Sequence, residues 1–269
     1  MVEGADALRD PGRRRLNQIV VYTHRPHLLT MRERREEYSR PLHWWDMAEA
    51  LPARASLYNI VAIGAMNPRL HHPAWYQLIG AISSGEADEA ASSPVVCVQP
   101  FATFRFDDIT IACQENRWEI STGKLSARPR LLSIAALVFA KLNETPIEIF
   151  GFNSNFDVET RVRNVRECLT RLLIGLDVGL PDQQDATHFC GINMRHAYDD
   201  HSIHIRVQPS QLSDDVLFIG YNTEYLTKSA GPGYFDFGKL IAPRFDEHLQ
   251  MATENAQRIL AQLGKRCGG

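Results

Sequence analysis

Nowhere in this 269-residue chain do apolar residues run to the roughly eighteen that a membrane-crossing helix needs. The opening Met1-Val2-Glu3-Gly4-Ala5-Asp6 has neither the basic start nor the apolar centre of a signal peptide, so a cytoplasmic location is expected. Cysteine is scarce. The five residues, at 97, 113, 168, 190 and 267, are odd in number and form no Cys-x-x-Cys, which indicates neither a disulfide framework nor a cysteine-built zinc site. Reduced, buried thiols are the expectation. A strong excess of one charge is also missing. A net charge of −3 and a pI near 6.4 argue against a surface that grips nucleic acid or anionic lipid over its whole extent.

The familiar catalytic signatures are missing too. There is no Gly-x-Gly-x-x-Gly, His-Glu-x-x-His or Gly-x-Ser-x-Gly. Gly123-Lys124 fails as a phosphate loop, because Leu125 stands where a metal-binding hydroxyl belongs and no glycine precedes it at the required spacing. Pro181-Asp182 with Glu224-Tyr225-Leu226 supplies no lysine for a metal nuclease. These gaps favour a non-enzymatic protein without cofactor or metal, although active sites also assemble from scattered residues.

One short motif occurs twice. Ile149-Phe150-Gly151-Phe152-Asn153-Ser154-Asn155-Phe156 and Phe218-Ile219-Gly220-Tyr221-Asn222-Thr223-Glu224-Tyr225 agree in type at all places but one, and an amphipathic pattern follows each. Phe189-Cys190-Gly191-Ile192-Asn193-Met194 is a weaker copy. Glycine in a strand marks a bulge or a close backbone approach, and asparagine bonds its own backbone, so the motif is architectural first. It predicts an internally duplicated strand-to-helix unit, in which a valine at either glycine destabilises the fold.

The surrounding pattern predicts an α+β fold, with antiparallel or mixed sheet meanders packed against a few long helices. Residues 1–50 read as a basic and aromatic extension. A single domain spans 51–269, with two similar halves at about 95–176 and 186–263. Leu57 to Ala65 reads as a strand, and Trp75, Leu78, Ile79 and Ile82 as one helical stripe before a flexible acidic loop over Ser83–Pro94. Phe104 and Phe106, then Ile109, Ile111 and Cys113, alternate as strands joined by an Asp107-Asp108 turn. Leu131 to Leu142 predicts a largely covered helix. Asp157 is placed as the cap of a helix carrying Val158, Val162, Val165, Leu169, Leu172 and Leu173. A last helix is expected from about Pro243 to Leu263.

Three groups of residues are candidates for function. If Phe189–Arg195 and Ile203–Gln208 pair as a hairpin, Asn193, Arg195, His204 and Arg206 share one polar face, able to hold a phosphate, a carboxylate or an acidic partner. Asn153-Ser154 and Asn222-Thr223 are a possible second lining. His188, His196, His201 and His204 lie near Asp199 and Asp200, but without a defined ligand spacing, so a turn flanked by exposed histidines is preferred to a metal site.

Trp44, Trp45, Tyr234, Phe235 and Phe237 supply large rings for a protein interface. Arg13, Arg14 and Arg15, within a segment 1–40 holding nine arginines and six acids, offer nucleic-acid contact. The favoured reading is a cytosolic subunit or adaptor that binds a protein partner or itself. The alternatives are an enzyme or small-ligand sensor using the polar sheet face, and an accessory nucleic-acid-binding subunit.

Overall fold

A computed structural model describes residues 20–21, 51–173, 191–227 and 242–267. In chain order the elements are β1 (Val20–Val21), β2 (Ala53–Gly64), α1 (Pro73–Leu78), α2 (Ser84–Ser92), β3 (Val96–Val98), β4 (Phe101–Phe106), β5 (Ile109–Gln114) and β6 (Arg117–Thr122). They continue with α3 (Arg128–Lys141), β7 (Ile147–Glu159), α4 (Val165–Leu173), β8 (Ile192–Ala197), β9 (His201–Pro209), β10 (Val216–Leu226) and α5 (Ala242–Cys267).

The strands form one sheet in the order β1-β8-β9-β10-β7-β2-β6-β5-β4-β3, antiparallel throughout except where β1 pairs parallel with β8. The mixed α+β class is as expected.

The period of two decides which side of the sheet is dry. Tyr58, Ile60 and Ala62 of β2, Phe150, Phe152, Phe156 and Val158 of β7, and Ile219, Tyr221 and Tyr225 of β10 are buried on one face. Rings from the helices close that face. Phe139 of α3 meets Trp118 and Phe150 edge-on at 4.9 and 4.8 Å, and Phe245 of α5 meets Phe152 at 4.8 Å. Arg128, at the start of α3 and almost wholly buried, pairs with Asp246 of α5 at 2.6 Å and ties the two long helices together. The other face carries no helix among the described residues, and it is there that the polar members of each strand emerge.

Several sequence expectations need correction. Ser84–Ser92 is a helix, not a loop: Ser83 and Glu86 form a reciprocal capping box, and Ala87 and Ala90 are buried. Leu78 is 82% exposed while Tyr76 is fully buried, so the α1 stripe is rotated from the expected one. Asp157 does not cap a helix. Pairing with β10 carries β7 on to Glu159, Asp157 accepts a hydrogen bond from Ser210, and Asn164 takes the position before α4, accepting from the Glu167 amide at 3.0 Å.

Cys168 and Cys267 are not reduced. They form a disulfide between α4 and the end of α5, 99 residues apart in sequence with a Cα–Cα distance of 5.9 Å. Cys97 and Cys113 are free thiols. Among the described residues, no helix is long and apolar enough to cross a membrane.

The repeated motif has a different place from the one anticipated. Its two copies are neighbours, pairing antiparallel across β7 and β10 so that Asn153 faces Asn222, Gly151 faces Glu224 and Gly220 faces Asn155. Neither glycine lies at positive φ. What Gly220 supplies is space: a Cβ there would sit 3.0 Å from Cε1 of Phe218, whereas at Gly151 the nearest atom is Thr223 O at 3.4 Å.

Candidate functional site

β8 and β9 form a hairpin around Asp199-Asp200, with Asn193 opposite Arg206 and Arg195 opposite His204. Alternation then puts all four of these side chains on the open face, while Ile203, Ile205 and Val207 are buried behind them. The next strands extend the polar row. His204 faces Asn222, which faces Asn153, which faces Asn59, and the row runs on through Ser121 and Thr110 to Arg105. Eight strands thus contribute one polar residue each to a single line across the sheet.

Half of this line borders a hollow of about 460 Å³. Asn193, Arg195, His204 and Arg206 form one wall, and Asn153, Asn155, Asn222 and Phe218 the other. Gly220 lies between them, opposite Arg206 on one side and Asn155 on the other, and its bare backbone lowers the floor. The Phe218 ring reaches across the space that a side chain at Gly220 would occupy, so it lies along the strand instead of standing off it.

The hydrogen bonds are unevenly distributed. Asn153 donates through Nδ2 to Asn59 Oδ1 at 2.5 Å, and Asn222 donates to Glu224 Oε1 at 2.8 Å. His204 Nε2 lies 3.3 Å from Glu224 Oε2 and 3.1 Å from Ser202 Oγ. Arg195 and Arg206, both exposed, have no carboxylate within ion-pair distance among the described residues. Donors therefore outnumber acceptors, an arrangement suited to a carboxylate or phosphate.

Sequence reasoning brought together the four hairpin residues and named Asn153 and Asn222. Their neighbours Ser154 and Thr223 point to the covered face and are buried. Asn155, Phe218 and Gly220 were not identified as lining. Their one sequence signal is the period of two that puts them in phase with Asn153 and Asn222. Trp44, Trp45, Tyr234, Phe235, Phe237, Arg13, Arg14, Arg15 and His188 lie outside the described residues.

His201 and His204, three apart, emerge on opposite faces, and among the described residues no three His, Cys, Asp or Glu side chains gather as metal ligands.

A second titratable cluster lies under α5. His201 Nδ1 is 2.7 Å from Asp200, Arg244 pairs with the same carboxylate, and Tyr225 hydrogen-bonds His248 Nε2. Tyr198, His201 and Tyr225 stack in succession, with centroid distances of 4.4 and 5.2 Å, and Arg244 lies over the Tyr225 ring. Burial, aided by the nearby His201 and Arg244 charges, pushes His248 down to about 4. Burial works the other way on Asp200, but hydrogen bonds from His201 and Arg244 prevail and hold it at about 2. The cluster fastens the β8–β9 turn to the start of α5.

No known protein family matches the chain, and no curated protein is similar to it. Among solved structures it bears a faint likeness to the di-domain ARO/CYC StfQ from the steffimycin biosynthetic pathway, with 12% identity and a TM-score of 0.21 over 78% of this chain and 99% of that one. A score so low carries no argument about fold or activity.

Proposed function

We propose that the chain is a non-enzymatic binding protein whose site is the hollow on the open face of β7–β10–β9–β8, and whose ligand is a small molecule bearing a carboxylate or phosphate. The observation that carries this is the pair Arg195 and Arg206: two guanidinium groups on adjacent strands, without carboxylate partners among the described residues, at a hollow edged by asparagine amides. Guanidinium forks bind planar or tetrahedral oxyanions with two parallel hydrogen bonds, and amides add donors without adding charge. The small-ligand reading thereby moves ahead of the adaptor reading, whose five aromatic contact residues and arginine arm lie outside the described residues.

Two further readings belong with this one. A long strand, short helices, an antiparallel meander and a long helix follow in that order from β2 to α3, with two short helices and four meander strands, and from β7 to α5, with one short helix and three meander strands, β2 and β7 pairing at the join. This order supports an internal duplication with halves 53–141 and 147–267 in place of the expected 95–176 and 186–263, both copies of the Gly-aromatic-Asn motif then lying in the second half; superposition of the Cα traces tests it. A cytoplasmic location rests on the sequence alone. The Cys168–Cys267 bond pulls against it, since disulfides are rare in reducing compartments.

Calorimetric titration with inorganic phosphate, and with citrate as a polycarboxylate, tests the binding proposal. The intact protein should bind at low salt. The double variant Arg195→Ser, Arg206→Ser should bind at least roughly tenfold more weakly with an unchanged circular dichroism spectrum. Equal binding by both proteins, or none by the intact one, overturns the reading.

A further inference from the structure

We infer that the ligand of this hollow is a single aromatic molecule with one anionic group, a flat ring carrying one phosphate or carboxylate in the manner of a nucleoside monophosphate. The inference rests on the anion-binding reading above and adds the other half of the molecule.

The hollow is not wholly polar. Phe218 lines one wall, and its ring crosses the gap left by Gly220. Its strand neighbours are Gln208 and Asp157, so it is a half-buried ring set among polar groups. A ring laid along a strand offers a face to a ligand, and base-on-ring stacking is tolerant of which base is presented.

The spacing fits one small molecule. Arg206 pairs with Gly220, two residues from Phe218, which is about 7 Å along the strand. Arg195 lies one further alternation away, opposite His204. A ring stacked on Phe218 thus places a substituent of nucleotide length between the two guanidinium groups.

The hollow opens on the middle of the sheet, where β9, β10 and β7 are paired on both sides, so no free strand edge offers backbone hydrogen bonds to a peptide. Recognition must come from side chains. A volume near 460 Å³ also lies at the lower end of single-ligand sites, too small for several stacked bases.

The test uses the full chain and five probes: inorganic phosphate, ribose 5-phosphate, adenosine, adenosine 5′-monophosphate and a ten-residue oligoadenylate. The monophosphate should bind about tenfold more tightly than ribose 5-phosphate, the increment of one stacked base. Phe218→Ala and Phe218→Leu should abolish that increment and leave ribose 5-phosphate binding intact. The leucine variant keeps apolar bulk, so its melting temperature identifies any loss that is merely structural.

A monophosphate no tighter than ribose 5-phosphate overturns the inference alone, as do Phe218 variants that weaken both probes equally while folded. An oligoadenylate that binds much more tightly than the monophosphate, with steep salt dependence, overturns it in favour of a strand-binding surface. Failure of phosphate and ribose 5-phosphate to bind at all overturns the underlying anion reading instead.

Discussion

The two sides of the open face are built from the same alternating strands but differ in how their charges are matched. On β4, β5, β6 and β2, polar groups satisfy one another. Arg117 pairs with Glu119 at 2.7 Å, the Asn59 amide donates to the same glutamate at 2.8 Å, Lys124 pairs with Asp108 at 2.5 Å, and Arg105 donates to the Asp107 carbonyl at 3.2 Å. On the open face of β7, β10, β9 and β8, His204 and Asn222 find a carboxylate in Glu224, while among the described residues Arg195 and Arg206 have none.

Exposed ion pairs add little to stability, so pairing on the first side does not make that side firmer. Its consequence is that its donors are occupied. The unmatched side keeps its donors available, and a Gly220 floor and a Phe218 wall give them a shape.

The covered faces differ less. Each side buries a histidine against a tyrosine: His71 Nδ1 lies 2.8 Å from Tyr76 OH, and His248 Nε2 bonds Tyr225 OH. The staple, however, is one-sided. Cys168–Cys267 closes α4 onto α5, while Cys97 and Cys113 on the other side are free.

The largest expected effect breaks that asymmetry. Cutting the loop of about 100 residues with Cys267→Ser, or by reduction, should cost up to about 5 kcal/mol of unfolding free energy by the chain-entropy argument. Urea titration of the oxidised and reduced protein measures it. Equal midpoints would show that the staple does not constrain the unfolded chain.

Acid should next weaken both sides alike. Burial lowers His71 and His248 from 6.5 to about 4. Between those values the unfolded chain takes up a proton at each histidine and the folded chain does not. Stability therefore falls as pH drops from about 6.5 to about 4, by about 3 kcal/mol for each histidine. Either His71→Gln or His248→Gln should remove about half of this slope in urea unfolding. A slope unchanged by both variants would mean that the buried histidines do not drive it.

A smaller effect sharpens the comparison within one strand pair. Gly220→Val must displace the Phe218 ring and should cost about 1 kcal/mol, besides filling the hollow. Gly151→Val meets only ordinary contact and should cost less. Thermal melting of the two variants reads the difference, and a reversed order would contradict the close approach at Gly220.

The sequence made the hairpin face legible because the Asp199-Asp200 turn fixes the β8–β9 register, and register alone decides which side chains share a face. It also made the buried stripe of α5 legible through Phe245, Leu249, Ala252 and Ala256. The Asn155 and Phe218 part of the facing wall was not legible, because it depends on β7 pairing with β10, strands far apart in the chain. The disulfide was hidden for the same reason. The α2 helix was legible in principle. Its Ser83 and Glu86 stand at capping-box spacing, but a run of small and acidic residues carries the composition of a loop.

Matched charge removal tests the central claim most directly. Arg195→Ser with Arg206→Ser on one side, and Arg105→Ser with Arg117→Ser on the other, each delete two arginines from the same face of the same sheet. Under calorimetric titration with inorganic phosphate, the first pair should weaken binding at least about tenfold and the second should leave it unchanged. Equal weakening by both pairs would mean that phosphate responds only to overall charge and that the hollow is not a site.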